Sequence, residues 1–222
     1  MNRLGLLIPS SNVVLEPLAA KAQARDPNLR IHVSRLGVVD IKLNAASRAQ
    51  FRLETQIAAA KLLCDAKVDR IIWGGTSASW LGVAQDVAFV EGMSRDTSVP
   101  VTSCALEINY GLAKIGAKRL GMVTPYTDDV AAQINQNYTD MGFEIAAFQN
   151  NGGDMSHDFA AIKPAAIERM IRDVAAEKVD GIVIMCTNLA GADVAERLEK
   201  ELNVPIFDSA AVCLKAFQPR WL

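Results

Sequence analysis

Short apolar runs alternate with amphipathic stretches along almost the whole chain. Eight runs have the length of β-strands, at residues 4–8, 31–36, 68–73, 99–103, 120–124, 143–148, 179–185 and 204–207. The stretches between them have helical spacing of apolar residues, most clearly over 48–64 and 164–177. Apolar strands that alternate with helices are typical of a parallel sheet covered by helices. The pattern therefore predicts an α/β fold.

Three short motifs occur twice, in the same order and on equivalent strands. They are RLG at 3–5 and 119–121, KVD at 67–69 and 178–180, and VP at 99–100 and 204–205. The alternative interpretation is that α/β units resemble one another without a true repeat. The repeat predicts two pseudo-symmetric halves, residues 1–116 and 117–222. Each half is expected to be a four-stranded parallel sheet flanked by helices, with a pseudo-two-fold axis between them.

The loops that follow the strands are where chemistry is expected. In open parallel sheets, ligands bind beyond the carboxyl ends of the strands. Two halves that face each other bring these loops together in one cleft, and we expect the active site there. The loops concerned are 9–12, 74–79, 125–128 and 186–188.

The loops after the third strand of each half align with one another. Residues 75–77 (Gly-Thr-Ser) match 186–188 (Cys-Thr-Asn), because both triplets begin eight residues after the lysine of the KVD motif. Backbone N–H groups and hydroxyls at a strand end suit an anion, and a carboxylate makes strong charge-assisted hydrogen bonds with them. A simple turn with helix-capping hydroxyls is the alternative. The equivalent positions of the two loops favour an anion site.

Cys186 is the candidate reactive side chain. It lies where an apolar strand ends and polar residues begin. A thiol there can act as acid, base or nucleophile, and the start of a helix is expected to make it more acidic. The alternative is a small buried hydrophobic residue. Cys64 lies in a helical pattern and is expected in the core. Cys104 follows a strand and Cys213 lies in a terminal helix, and neither has a polar loop around it. His157 lies in the polar stretch 150–157, which is either a flap over the cleft or a surface loop.

Composition excludes several classes of function. The net charge of −2 gives no basic field for nucleic acid or an anionic membrane, and no stretch approaches 18 apolar residues. The apolar run in residues 1–9 is too short for a signal peptide, so we expect a soluble, cytoplasmic protein with free thiols. The chain has no HExxH, no cysteine cluster and no phosphate-binding glycine motif, so neither a catalytic metal nor a nucleotide is indicated. A homo-oligomer is left open.

Four loops resemble the aspartate/glutamate racemase superfamily, and within it the branch of maleate cis-trans isomerases and arylmalonate decarboxylases. They are residues 8–12 (IPSSN), 75–79 (GTSAS), 124–129 (TPYTDD) and 186–188 (CTN). The similarity extends over almost the whole chain in the order and length of the strands. It implies a cofactor-independent enzyme that acts on a small dicarboxylate.

One cysteine of the superfamily pattern is replaced here. Racemases and isomerases of the superfamily typically carry one cysteine in each half, whereas this chain has Gly75 at the first position and Cys186 at the second. The decarboxylase pattern has that arrangement. The resemblance implies that Thr76, Ser77 and Tyr126 form an oxyanion pocket and that Cys186 donates a proton to one face of an enediolate. Donors aimed at developing charge are usually the largest catalytic contribution.

Other positions follow the isomerase pattern. The PSSN segment is isomerase-like, and there Asn12 would hold a substrate carboxylate; Thr187 and Asn188 are further candidates for substrate binding. The leading hypothesis is a one-cysteine decarboxylase. The alternatives are a maleate isomerase-like enzyme and a non-catalytic dicarboxylate-binding relative. A two-base racemase is disfavoured because Gly75 cannot transfer a proton. Trp73 and Trp80 flank the first loop and either select a bulky substrate group or pack in the core.

Overall fold

The computed structural model describes residues 1–215, and the eight predicted strands are all present in it. They are β1 Asn2–Pro9, β2 Leu29–Leu36, β3 Arg70–Trp73, β4 Val101–Ser103, β5 Arg119–Tyr126, β6 Glu144–Gly153, β7 Gly181–Ile184 and β8 Ile206–Asp208. The strands form two four-stranded sheets of order β2-β1-β3-β4 and β6-β5-β7-β8, in which every pair is parallel. The predicted α/β fold with two equivalent sheets is confirmed.

Helices connect the strands and cover both sheets. Within residues 1–215 they are α1 Leu15–Arg25, α2 Ala45–Ala49, α3 Leu53–Asp65, α4 Ala78–Leu81, α5 Val83–Thr97, α6 Cys104–Lys114, α7 Asp128–Asp140, α8 Ser156–Phe159, α9 Pro164–Ala175, α10 Ala192–Leu202 and α11 Ser209–Lys215. None of the helices in this part of the chain combines the length and the hydropathy needed to cross a membrane.

The single helix predicted over 48–64 is wrong, because α2 and α3 are separated by a turn. Arg52 has extended backbone angles (φ −69°, ψ 135°) that end one helix and start the next. The side chain of Gln50 stabilises the turn by donating from Nε2 to the Asp40 carboxylate at 2.7 Å. Because of this turn, α3 begins only at Leu53. The preceding residues, 37–52, cross the carboxyl ends of the first sheet.

The repeated motifs make the same contacts in both halves. The backbone N–H of Arg3 donates to Asp69 Oδ2 at 2.6 Å, and that of Arg119 donates to Asp180 Oδ2 at 2.8 Å. The lysine two positions before each aspartate has a positive φ, 51° in the first half and 53° in the second. The KVD motif is therefore one turn used twice, which ties the third strand of each sheet to the first.

The two halves also pack against each other through their last helices. Helix α6 contacts α11, and the thiol of Cys104 lies 3.2 Å from the carbonyl oxygen of Ser209. Cys104 and Cys213 are both fully buried. Cys64 lies on α3 as expected but is only half-buried, so its predicted place in the core is wrong. This packing holds the carboxyl ends of the two sheets around one shared pocket.

Candidate active site

A pocket lies between the carboxyl ends of the two sheets. Both halves contribute to its wall. All eight candidate residues of the sequence analysis line it: Asn12, Gly75, Thr76, Ser77, Tyr126, Cys186, Thr187 and Asn188. The loops that follow parallel strands thus meet in one place, as the topology requires.

Cys186 lies two residues after the end of β7, with 3% of its surface exposed. Burial raises the pKa of its thiol to about 11, although the Tyr126 hydroxyl and the backbone N–H groups of Asn188 and Leu189 act in the opposite direction. The expectation that a helix start would make this thiol more acidic is therefore wrong, because burial outweighs the N–H groups and α10 begins only at Ala192. At neutral pH the thiol is protonated, which is the state of a proton donor.

Tyr126 connects the cysteine to the loop of the first half. Its hydroxyl is 3.0 Å from Thr76 Oγ1, where either oxygen can donate, and it lies close enough to the Cys186 thiol for each group to affect the pKa of the other. Burial, and next the adjacent cysteine, raise the pKa of Tyr126 well above its usual value. The phenol therefore keeps its hydrogen at neutral pH.

Ser77 has a hydroxyl whose orientation is set by its neighbour. The indole Nε1–H of Trp73 donates to Ser77 Oγ at 3.3 Å. An oxygen that accepts this bond keeps its own hydrogen for another acceptor. Ser77 is buried on the pocket wall, so its hydroxyl hydrogen is available to an anion there.

The absence of a side chain at Gly75 is explained by the same indole. A Cβ built on Gly75 would lie 2.3 Å from Trp73 Cζ2 and 2.5 Å from Cε2. No real Cβ has contacts this short, so the tryptophan fills the space that a side chain at residue 75 would need. Trp80 is also buried and packs edge-on against Phe51 at 5.5 Å between ring centroids.

Asn12 and Thr187 form a buried chain of hydrogen bonds between the halves. Asn12 Oδ1 accepts from the backbone N–H groups of Val14 and Leu15, at 3.0 and 2.9 Å, and so caps α1. Asn12 Nδ2 donates to Thr187 Oγ1 at 3.1 Å, and Thr187 donates to the carbonyl oxygen of Gly74 at 2.8 Å. One hydrogen of the Asn12 amide remains for a group in the pocket.

The side-chain amide of Asn188 hydrogen bonds with backbone groups of other loops. Its Oδ1 accepts from the N–H of Val13 at 2.9 Å, and its Nδ2 donates to the carbonyl oxygens of Ser156 and Ser11 at 2.6 and 3.3 Å. Both amide hydrogens are thereby used. Asn188 lies on the pocket wall, but its side chain fixes three loops rather than offering a free donor.

Two loops close the pocket from above, and the sequence indicated a possible flap only for the second of them, at 150–157. Residues 37–52 and 153–163 meet in an antiparallel bridge between Asp40 and Met155, and the N–H of Ile41 donates to the carbonyl oxygen of Asp154 at 3.1 Å. These loops add apolar wall residues and one hydroxyl: Val38, Ile41, Phe51, Ser156 and Phe159. No spacing signal marks them, because their contacts join residues more than 100 positions apart. His157 points to solvent and pairs with Asp158, so it takes no part in the wall.

Metal-binding groups are not assembled in the described residues. Within 1–215, no three side chains of histidine, cysteine, aspartate or glutamate come close enough to hold a metal ion. The polar groups of the pocket are instead hydroxyls, a thiol and amides. This donor set suits a carboxylate or an enediolate.

Known maleate isomerases and an arylmalonate decarboxylase match this chain. A maleate isomerase from Nocardia farcinica (strain IFM 10152) is 25% identical over 224 residues, which cover 95% of this chain and 86% of the relative. An arylmalonate decarboxylase from Bordetella bronchiseptica is 27% identical over 139 residues, which cover 61% of this chain and 58% of the relative. The resemblance to this branch is therefore confirmed.

Solved structures show the same fold. A serine-for-cysteine variant of the Nocardia farcinica maleate cis-trans isomerase, with a covalently bound succinylcysteine intermediate, has a TM-score of 0.84 at 20% identity and covers 97% of this chain and 90% of its own. A liganded arylmalonate decarboxylase double variant, glycine to cysteine and cysteine to serine, also has a TM-score of 0.84 at 20% identity, with 98% and 91% covered.

The family assignment rests on the sequence itself. The chain matches the family described as arylmalonate decarboxylase over residues 4–217. The relatives named above are decarboxylases and isomerases, and the expectation of an enzyme of this kind is confirmed. The chain belongs to the arylmalonate decarboxylase family.

Proposed function

We propose that this protein decarboxylates a substituted malonate, a small dicarboxylate, and that Cys186 protonates the resulting carbanion from one face. The observation that carries the proposal is the protonated, buried thiol of Cys186 beside donors from the other half. Its pseudo-symmetric counterpart is Gly75, which has no proton to give. One donor on one face favours a product of single handedness.

Groups on the pocket wall stabilise the charge that decarboxylation creates and supply the proton that replaces CO2. Loss of CO2 leaves the electron pair of the broken C–C bond on the α-carbon, and the remaining carboxylate takes up the charge as an enediolate. The proposed donors to its oxygens are the Ser77 hydroxyl and one hydroxyl of the Thr76–Tyr126 pair, in which the other hydroxyl donates within the pair. Preorganised donors stabilise such charge most. Cys186 then transfers its S–H proton to the α-carbon. The Cys186 thiolate then regains its proton from water.

The remaining candidates have positioning roles in this proposal. Asn12 offers its second amide hydrogen to the retained carboxylate, and its other bonds hold Thr187 against the first half. Thr187 and Asn188 keep the cysteine loop in place. Gly75 provides the flat, unreactive wall. The pocket is built from one chain, so the proposal needs no second copy.

Cis-trans isomerisation of a maleate-like substrate is the second candidate. It is favoured by Asn12 on the pocket wall and by the maleate isomerase that matches 95% of the chain. A thiol that adds to a double bond must first lose its proton. The raised pKa of Cys186 favours the acid role over that nucleophilic one. A third candidate is a protein that binds dicarboxylates without turning them over.

Product analysis in deuterated buffer separates the three candidates. The purified protein is incubated with phenylmalonate, alkylmalonates and maleate, and the products are followed by NMR. CO2 release with one deuteron gained at the α-carbon supports the decarboxylase. Geometric change without CO2 release supports the isomerase, and saturable binding without turnover supports a binding protein. Cys186→Ala is the control, and it should abolish turnover while substrate still binds, because the thiol acts on the intermediate.

A further inference from the structure

The indole of Trp73 lies between the candidate active site and a second cavity. The two cavities share part of one wall, formed by Phe51, Trp73 and Ser77. The residues that line only the second cavity are Gln56, Ala78, Leu81, Gln85, Asp86 and Phe89. The proposed chemistry uses none of these six side chains, and it gives no role to the ring that separates them from the active site.

On the active-site side, the indole covers Gly75. A Cβ on Gly75 would lie 2.3, 2.5 and 3.0 Å from Cζ2, Cε2 and Cη2 of Trp73, so these ring atoms fill the direction in which a side chain would project. Gly75 is the counterpart of Cys186 in the other half, and both residues line the pocket. The indole therefore covers the pocket wall that corresponds to the thiol.

Several contacts hold the indole in this place. Trp73 is the last residue of β3 and is 1% exposed. Its ring packs edge-on against Phe51 and Phe89, with 6.4 Å between ring centroids in both pairs. Its Nε1–H donates to Ser77 Oγ at 3.3 Å. The ring loses these contacts if it moves aside, so it acts as a fixed wall of the pocket.

This fixed wall limits the space around a bound malonate. The α-carbon must lie within reach of the Cys186 thiol, because the thiol protonates that carbon in the proposed reaction. A group on the α-carbon that points away from the thiol then meets the indole above Gly75. Extra atoms in a well-packed site force side chains out of their preferred positions, which is unfavourable. A large α-substituent would therefore have to displace the ring.

We propose that Trp73 determines substrate specificity by restricting the malonate to small α-substituents, such as vinyl, and by excluding an aromatic ring. This inference rests on the proposed decarboxylase function. The sequence allowed two roles for Trp73, selection of a bulky substrate group or packing in the core. The contacts of the indole combine them differently, because a tightly packed ring excludes the bulky group. The second cavity is the space that a larger substituent would enter if the ring were removed.

The relative turnover of vinylmalonate and phenylmalonate tests this restriction. Both substituents delocalise the carbanion, and the intrinsic reactivity of each malonate cancels when the ratio of their kcat/KM values is compared between variants. Trp73→Leu removes the ring atoms above Gly75. It should raise the phenylmalonate-to-vinylmalonate ratio by at least about tenfold, the discrimination that the shape of an apolar pocket typically provides.

Two control variants separate the size of the indole from its other contacts. Ser77→Ala removes the acceptor of the indole N–H and keeps the ring, so it should slow both malonates and leave their ratio unchanged. Leu81→Ala enlarges the second cavity and keeps the ring between the two cavities, so it should also leave the ratio unchanged. Circular dichroism establishes that each variant is folded.

Binding to Cys186→Ala measures the size limit without turnover. In isothermal titration calorimetry, vinylmalonate should bind at least about tenfold more tightly than phenylmalonate, and addition of Trp73→Leu should remove most of that difference. Equal affinities of the two malonates for Cys186→Ala overturn the proposal, and so does a preference that folded Trp73→Leu leaves unchanged. If Trp73→Leu does not fold, Trp73→Met, with a flexible side chain and no ring, must change the ratio instead.

The same measurements distinguish failure of the size limit from failure of the proposed function. Release of CO2 from both malonates at ratios that do not respond to Trp73→Leu supports the decarboxylase and overturns the role of Trp73. Binding of vinylmalonate to the wild-type protein without CO2 release contradicts the decarboxylase, and the two affinities then still support or overturn the size limit. Absence of binding by either malonate contradicts both.

Discussion

The indole of Trp73 occupies the space that a side chain on Gly75 would need, with 2.3 Å between a Cβ at that position and Trp73 Cζ2. The two residues are separated by one position at the end of the same strand. Their contact means that the one-cysteine character of the pocket is maintained by packing. A thiol cannot be added to the first half while the indole keeps its place.

Gly75→Cys alone should therefore destabilise the protein, by roughly 1–3 kcal/mol for an overpacked site. It should not add protonation from the second face. The pair Gly75→Cys with Trp73→Leu should be more stable than the sum of the single changes predicts, because the smaller side chain makes room. Urea unfolding of all four proteins measures the coupling, and additive effects would contradict it. With a malonate that carries two different substituents, so that the product has a stereocentre, only the double variant should form product of mixed handedness, measured by chiral chromatography.

The pH dependence of catalysis should distinguish a thiol acid from a thiolate nucleophile. A proton donor works in its protonated form, so kcat/KM should be level from pH 7 to 9 and fall as pH rises toward the Cys186 pKa of about 11. A nucleophilic thiolate requires the opposite trend. Circular dichroism at each pH controls for unfolding, and activity that climbs steadily above pH 8 would contradict the acid role.

Removal of one proposed oxyanion donor should reduce the rate strongly. Ser77→Ala is expected to lower kcat/KM by about 10²-fold or more, the typical cost of losing one such donor. Because Trp73 donates to the same oxygen, Trp73→Phe should also lower kcat, with KM changed less. Thr139→Ala, on the exposed surface of α7, is the control. An unchanged rate in Ser77→Ala would reassign this loop to a structural turn.

Stability should depend on the buried carboxyl of Asp208. Burial raises its pKa to about 7, although the N–H groups of Ala211 and Ala210 lower it. Between pH 4 and 7 the folded protein retains a proton that the unfolded chain has lost, so this group makes stability fall as pH rises, by up to about 1.4 kcal/mol per pH unit. Asp208→Asn should remove that slope in urea unfolding at pH 5.5, 6.5 and 7.5. Asp96→Asn, at an exposed position on α5, should leave the slope unchanged, and a wild-type slope in Asp208→Asn would contradict the assignment.

The strands and the site loops were predictable because their signals are local. A buried parallel strand is a continuous apolar run, and the polar residues that follow mark its carboxyl end. The repeated KVD motif aligns residue 75 with residue 186 through the spacing along the chain alone. Those features need only neighbouring residues to be recognised.

The features that were missed depend on contacts between distant residues. The turn at Arg52 is stabilised by Asp40 through Gln50, and helical spacing continues across it. The pKa of Cys186 is set by how much of the fold covers it, so its direction could not be derived from the polar sequence around it. The two loops that close the pocket, 37–52 and 153–163, also depend on a contact between distant residues, in which the N–H of Ile41 donates to the carbonyl oxygen of Asp154.

The hydrogen-bond chain from Asn12 through Thr187 to Gly74 makes the pocket a product of folding the entire chain. The cap of α1 and the loop that carries the thiol are held by one amide, so neither half alone has a complete binding surface. During refolding, each sheet can form before the pocket exists. Activity should then return more slowly than the helical circular dichroism signal. The rate at which turnover returns would measure how fast the two halves dock.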